Sequence, residues 1–396
     1  MSWPLVEISD IAEIFSGAGF PKEFQGLTEG DYPFAKVGDI SKAKVSEGTT
    51  ISSAANHVSS ETASRLRATI FPTGSIVFAK IGEAIRKNNR CITTKEMAFD
   101  NNVMGIHFDQ DTVLNDFAFR FLDTLDFHAL SNSTTVPSIR KGDVGRIKIP
   151  LPPLEEQKRI AGILDQADAL RRLRTRALDK LNTLGQAIFY EMFGDIARNS
   201  MDWPMGCIGD LLEEAKYGSS EKANTDGKGL PMLRMGNLTY DGQIDLTSLK
   251  HVELSDSDFE KYTTRKGDLL FNRTNSKELV GKTAVVKQEE PFAFAGYLVR
   301  GRANELGNTD YISAYLNSSH GKATLVGMCK NIVGMANINA KEMQKIRIAI
   351  PPKDLQDQFS VAIDALAPER KKLLDAIDLQ GTLFASLQHR AFRGEL

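Results

Sequence analysis

The chain has 396 residues, 41% of them apolar, and a net charge of −2. It therefore has room for two or three domains with real cores, and it lacks the uniformly basic coat of a general nucleic-acid binder, so any such contact must come from local cationic patches. Its three cysteines, Cys91, Cys207 and Cys329, lie far apart without C-x-x-C spacing, which speaks against a disulfide framework or a zinc site. The opening "MSWPLVEISD" shows no basic segment followed by an apolar run, and no stretch of about 18 apolar residues occurs anywhere. The expectation is a cytoplasmic protein without a membrane partner.

In chain order, "WPLVEISDIAEI" (Trp3 to Ile14) is followed by "YPFAKVGDI" (Tyr32 to Ile40) and "TGSIVFAKIG" (Thr73 to Gly82). Such short β-branched or aromatic runs, punctuated by Gly and Asn, predict a mixed α/β domain with an irregular sheet. Asn115 to Ala129, "NDFAFRFLDTLDFHA", reads as a helix of this domain, and "IKIPL" from Ile147 as its last strand. Pro152 and Pro153 then stop the sheet, and Leu154 to Phe193 contains no proline. Its apolar residues follow a heptad through Ile160, Ile163, Ala167 and Leu170, interrupted at Arg174, then Ala177, Leu181, Leu184 and Ile188. A helix of about 40 residues is about 60 Å long and needs a partner to pack on. Glu155 and Glu156 fall in its first turn, where the helix dipole favours acidic groups.

The same order then repeats. "WPMGCIGDLLEE" (Trp203 to Glu214) matches the opening run, "LPMLRMGNL" (Leu230 to Leu238) matches Tyr32 to Ile40, and "KGDLLFNRTN" (Lys266 to Asn275) matches Thr73 to Gly82. "DYISAYLNSSHG" (Asp310 to Gly321) is the helical stretch of the second copy, and "IRIAIPPKDLQDQF" (Ile346 to Phe359) echoes "IKIPLPPLEEQKRI" (Ile147 to Ile160). Superposing the double prolines places Gln157 on Gln356 and Ile160 on Phe359, 199 residues on. A second heptad continues through Phe359, Ala362, Leu366, Leu373, Ala376, Leu383 and Leu387. Similar offsets in matching order indicate an internal duplication. The expected boundaries are a first head over 1–153, a first long helix over 154–194, a second head over 195–351 and a second long helix over 352–396. If the helices pack antiparallel on each other, the result is a dumbbell with pseudo-twofold related heads on a coiled-coil bar.

Enzymatic motifs are absent. Gly281-Lys282-Thr283 imitates the end of a phosphate-binding loop, but the glycine required five residues earlier is Ser276. The six histidines are dispersed without metal-binding spacing, and neither G-x-S-x-G nor a strand-linked G-x-G-x-x-G occurs. The reading is a binding protein without catalytic residues, metal or cofactor of its own.

Loop composition points to DNA. "FAKIGEAIRKNNR" (Phe78 to Arg90) offers Lys80, Arg86, Lys87 and Arg90, and the matching "FNRTNSKELVGK" offers Asn272, Arg273, Asn275, Lys277 and Lys282. Lys36 and Arg234 occupy matching positions in the preceding motif. A second loop pair, "SNSTTVPSIRKGD" and "NIVGMANINAKE", contributes Ser133, Thr134, Arg140, Lys141 and Asn337. Arginine and lysine neutralise phosphates or meet guanine, and asparagine pairs with adenine. The alternative is a coiled-coil scaffold whose two heads bind protein or another ligand, with these residues as ordinary solvated surface.

On these residues the sequence resembles the specificity subunit of type I restriction-modification systems, a family with two variable target recognition domains separated by two long conserved helices. The resemblance rests on "IKIPLPPLEEQKRIAGILDQADALRR", its weaker echo at Ile346, the Trp-Pro openings at Trp3 and Trp203, and Gly74 to Gly82. It spans the whole chain. It implies that each head reads one half of a bipartite double-stranded DNA target and that the helices set the spacer. It further implies docking of two methyltransferase subunits, which carry S-adenosylmethionine and methylate adenine, and of a translocase-nuclease restriction subunit. The second copy departs from the first at Ala349-Ile350, where the first has Pro150-Leu151, and at Lys353-Asp354, where it has Leu154-Glu155.

Overall fold

The computed structural model describes residues 3–132, 136–276, 279–329 and 336–396. The chain divides into two compact units, Met1–Leu173 with Ala376–Leu396, and Arg174–Asp375. Both long helices are continuous, Leu154–Phe193 and Lys353–Ala391. The division therefore falls inside each helix and not at its start, because each sheet domain buries apolar surface against stretches of both.

In the first unit, five strands lie in the order Ala12–Ser16, Val103–Phe108, Ile76–Ala79, Arg90–Thr93 and Thr50–Ile51. The pairings are antiparallel except the last, which is parallel. A four-stranded sheet, Asn56–Val58, Tyr32–Ala35, Met97–Phe99 and Ile70–Phe71, packs beside it. The strand Ile76–Ala79 is buried along its whole length, with Ile76 and Phe78 in one core and Val77 in another. Alternate side chains of one strand thus feed two layers.

The second unit repeats this plan with four strands, Leu212–Tyr217, Leu298–Ala303, Leu269–Asn272 and Thr283–Val285, and a three-stranded sheet of Lys250–Val252, Leu230–Leu233 and Ala293–Phe294. Small strands close both units in the same register: Leu5 faces Pro150 and Met205 faces Ala349. The Trp-Pro openings contribute here, since Pro4 O accepts from Leu151 N (2.9 Å) and Pro204 O from Ile350 N (2.7 Å). The exchange of Pro150 for Ala349 leaves this register unchanged.

The repeated glutamine has a structural reason. Gln157 is fully buried; its Oε1 accepts from Leu114 N (2.9 Å), and its Nε2 donates to Thr112 O (3.0 Å) and Pro152 O (2.9 Å). Gln356 is equally buried, accepting from Asn308 N (2.9 Å) and donating to Leu306 O (3.0 Å) and Pro351 O (2.8 Å). An amide satisfies one donor and two acceptors at once where water cannot reach. Each glutamine locks the start of a long helix to the segment before the domain's own helix.

Within each unit the two helix stretches run antiparallel. Arg171 stacks over Phe384 (5.0 Å) and Arg159 Nη2 reaches Leu396 O (3.0 Å) in the first unit. In the second, Phe189 meets Phe359 edge-on with centroids 5.6 Å apart, and Arg370 Nε donates to Asn182 Oδ1 (3.2 Å). The buried positions differ in part from the expected heptad. Ile160, Leu164, Phe189 and Phe193 are buried, while Leu170 and Leu184 stand exposed at 53% and 43%. Asp168 continues the Ile160–Leu164 row and is itself buried, paired with Arg120 (3.3 Å) and Arg171 (2.8 Å). A charged pair thus fills a buried position that the heptad leaves out. The second helix also passes through Pro368, which removes one intrahelical donor.

Two helices differ from expectation. The first ends at Leu122 and not Ala129, where Leu122 O and Phe121 O accept turn bonds from Leu125 N and Thr124 N. The stretch from Asp310 splits into Thr309–Asn317 and Ser319–Met328, because the Ser318 hydroxyl caps a new helix by accepting from Gly321 N (3.0 Å).

Candidate nucleic-acid interface

In the first unit Lys80 follows directly on the strand Ile76–Ala79. Its N–H donates to Asn102 O (2.8 Å) and its carbonyl accepts from Ile139 N (2.9 Å), while Gly82 N donates to Pro137 O (2.8 Å). The closing loop is therefore stitched to the strand end. Lys36 follows the strand Tyr32–Ala35; its N–H donates to Asp39 Oδ2 (2.8 Å), and its ammonium donates to Gln25 Oε1 (2.6 Å) and lies over Phe20 (5.3 Å). Asp100 interacts electrostatically with both lysines. Burial raises the Asp100 carboxyl above its ordinary range, against its bonds from Asn102, and burial lowers Lys80. Both shifts show desolvation outweighing the attraction between the two groups.

The second unit builds the same cradle with other side chains. Arg234 N donates to Asn237 Oδ1 (2.9 Å), as Lys36 N does to Asp39. Arg273 O accepts from Ile338 N (2.8 Å), as Lys80 O does from Ile139 N. Thr274 pairs with Asn337, and Asn275 with Ala336. The Arg273 guanidinium is held in place: Nε donates to Gly296 O (2.9 Å), Nη1 to Asn337 Oδ1 (3.0 Å), and its plane lies 5.2 Å from the Tyr217 ring. Tyr217 is held in turn, its hydroxyl accepting from Ala340 N (3.0 Å).

The structure thus brings Lys36 and Lys80 to one set of strand ends, and Arg234, Arg273, Asn275 and Asn337 to the corresponding set. Arg86 and Lys87 are exposed on the short turn Glu83–Lys87, where Arg86 pairs with Glu83 (3.1 Å). Arg140 and Lys141 are exposed at the start of the helix Lys141–Gly145, just after the stitched loop. Ser133, Thr134 and Lys277 lie outside the described residues.

Two candidates face inward. Arg90 is 1% exposed and donates to Asn88 O, Asn88 Oδ1 and Leu125 O, with Asp123 3.5 Å away and Phe127 beneath it. Burial pushes its guanidinium down to about 10, against the pull of Asp123 and Asp126. It ties a strand to the turn after the domain's helix and has no surface to offer DNA. Asn272 is fully buried, and its amide has no partner among the described residues. It is still part of the strand, whose both faces are covered, so the surface begins at Arg273.

Sequence reading missed Tyr217, Gly296 and Asp100. Each lies on a different strand or turn from the cation it faces, and no local spacing links them. Among the described residues no three His, Cys, Asp or Glu side chains gather as a metal site, and no helix is long and apolar enough to cross a membrane.

The family described as type I restriction modification DNA specificity domain matches residues 2–183 and again 200–373. The chain is 26% identical over 287 residues to the type I restriction enzyme EcoKI specificity subunit of Escherichia coli (strain K12), a match spanning 68% of this chain and 62% of that one. It is 21% identical over 433 residues to the EcoBI specificity subunit of Escherichia coli, spanning 100% and 86%. The fold is shared with the crystal structure of a type I restriction-modification system S subunit from M. genitalium, with a TM-score of 0.59, 16% identity, and 99% and 96% of the two chains covered.

Proposed function

The chain belongs to the type I restriction modification DNA specificity family, whose pattern covers both repeats, and on that premise we propose that it is the non-catalytic DNA-reading subunit of such a system. Each unit reads one half of a bipartite duplex target with the strand ends that carry Lys36 and Lys80, or Arg234 and Arg273. Arg86, Lys87, Arg140 and Lys141 flank the first of these as phosphate contacts, which set register without reading sequence. The long helices set the number of unspecified base pairs between the halves and dock two methyltransferase subunits. Those subunits bind S-adenosylmethionine and methylate adenine, and a translocase-nuclease subunit completes restriction.

The observation that carries this reading is the repeated cradle. Two units keep the same backbone bonds at Lys80 and Arg273, keep a cation at both matched positions, and change the side chains around them. Constant framework with altered contacts is what reading two different half-sites requires. A chain with net charge −2 leaves part of the electrostatic hold on DNA to its partners.

Co-expression of the chain with the methyltransferase subunit of its own system, followed by methylome sequencing, should reveal adenine methylation at a bipartite motif that disappears when the chain is omitted. Methylation that persists without the chain would sink the proposal. Capture of a protein or glycan partner insensitive to nuclease, with no duplex binding by the full complex, would establish the scaffold reading instead.

A further inference from the structure

We infer, on the basis of the DNA-reading role proposed above, that Arg273 reads a guanine in the half-site of the second unit and that the first unit has no counterpart to this contact. A guanidinium carries five N–H donors in a rigid plane. Gly296 O and Asn337 Oδ1 take one donor each, from Nε and Nη1. Three remain: both protons of Nη2 and one of Nη1. Paired donors of this kind match the O6 and N7 acceptors that guanine alone presents together on its major-groove edge.

Three supports fix the group before any ligand arrives. Asn337 Oδ1 also accepts from Thr274 Oγ1 (2.9 Å), so its oxygen is oriented toward Arg273. Tyr217 lies against the guanidinium, and the bond from Ala340 N holds the phenol in place. Gly296 is itself tied by its N–H to Ser219 O (2.7 Å). A preorganised fork loses little side-chain entropy on binding, which favours directional base reading over a diffuse phosphate contact.

The first unit replaces each of these side chains. Its backbone matches, yet Lys80 stands where Arg273 does, Ser16 where Tyr217 does, Ile81 where Thr274 does and Ser138 where Asn337 does. An ammonium meets guanine only through freely rotating donors without a rigid planar fork, so it selects that base less strictly. The two half-sites should therefore differ in a guanine that the second unit demands.

The test uses the chain co-expressed with its methyltransferase subunits, comparing wild type with Arg273→Lys, Arg273→Ala and Asn337→Ser. Methylome sequencing of the wild type should show an obligatory guanine in one half-site. Both Arg273 variants should relax that one position by roughly ten- to hundredfold in selectivity and leave the other half-site unchanged. Asn337→Ser should relax the same position less. In a competition assay on synthetic duplexes, 7-deazaguanine at that position should weaken the wild-type complex by a similar factor and leave the Arg273→Ala complex indifferent. Arg273→Lys keeps the charge, so it carries the test if Arg273→Ala fails to fold. An unchanged motif in the Arg273 variants would overturn the inference, as would loss of binding spread evenly over all sequences or a wild-type half-site without guanine. Failure of the DNA-reading proposal itself would look different: no bipartite methylation by the wild-type complex at all.

Discussion

Replacing Gln157 by alanine should destabilise the first unit by about 3 to 5 kcal/mol. The side chain is fully buried and serves three backbone groups, Leu114 N, Thr112 O and Pro152 O. Each group stranded without water or partner costs about 1–3 kcal/mol, and local relaxation recovers part of the total. Gln356→Ala should do the same to the second unit through Asn308 N, Leu306 O and Pro351 O. The two sites share no partner, so the double variant should be additive. Unfolding of a chain with two units need not be two-state, so the informative assay is amide hydrogen exchange in the full chain. Leu114 N should lose protection in the first variant, and Asn308 N in the second. Gln157→Glu sharpens the test. It keeps an acceptor for Leu114 N but turns a second oxygen toward two carbonyls, so it should be worse than alanine at neutral pH. Burial raises such a carboxyl, and the deficit should shrink as the pH falls through its raised value. Unaltered protection at Leu114, or a loss below about 0.5 kcal/mol for alanine, would refute the argument that these amides lock the helix starts.

Burial raises the Asp168 carboxyl, but Arg120, Arg172 and Arg171 together outweigh this and hold it below the ordinary aspartate range. Its contribution to stability is therefore present above about pH 4 and lost as the pH falls through the depressed value. Asp168→Asn should cost about 3 kcal/mol at pH 7 and progressively less in acid, as followed by denaturation midpoints across pH; a cost independent of pH would count against the pairing. Arg90→Met should lower the melting temperature while leaving the methylated motif unchanged, because Arg90 faces the interior; an altered motif in a stable variant would return it to the DNA contacts. Inserting seven residues into each long helix, between Leu173 and Arg174 and between Asp375 and Ala376, adds about 10 Å and should lengthen the unspecified spacer by about three base pairs. An unchanged spacer in the sequenced methylome would refute that role of the helices.

Reading residues in order was enough for the duplication, the two long helices, the mixed α/β heads and the cationic strand ends at Lys80 and Arg273. All of these are written locally, as periodicity, as proline stops, or as a motif met twice. Gln157 and Gln356 were visible as a repetition, but their purpose was not, since two of the three partners of each lie more than 40 residues earlier in the chain. The tertiary structure decided which positions of the helices are buried, because burial depends on what each domain brings against them. It thereby left Leu170 exposed and placed the charged Asp168 inside. It also decided which cations face outward. Arg90 and Arg273 look alike in sequence, each close to a strand end and beside asparagines. Only the fold surrounds one with carbonyls and an aromatic ring inside the domain, and leaves the other with three free donors at the surface.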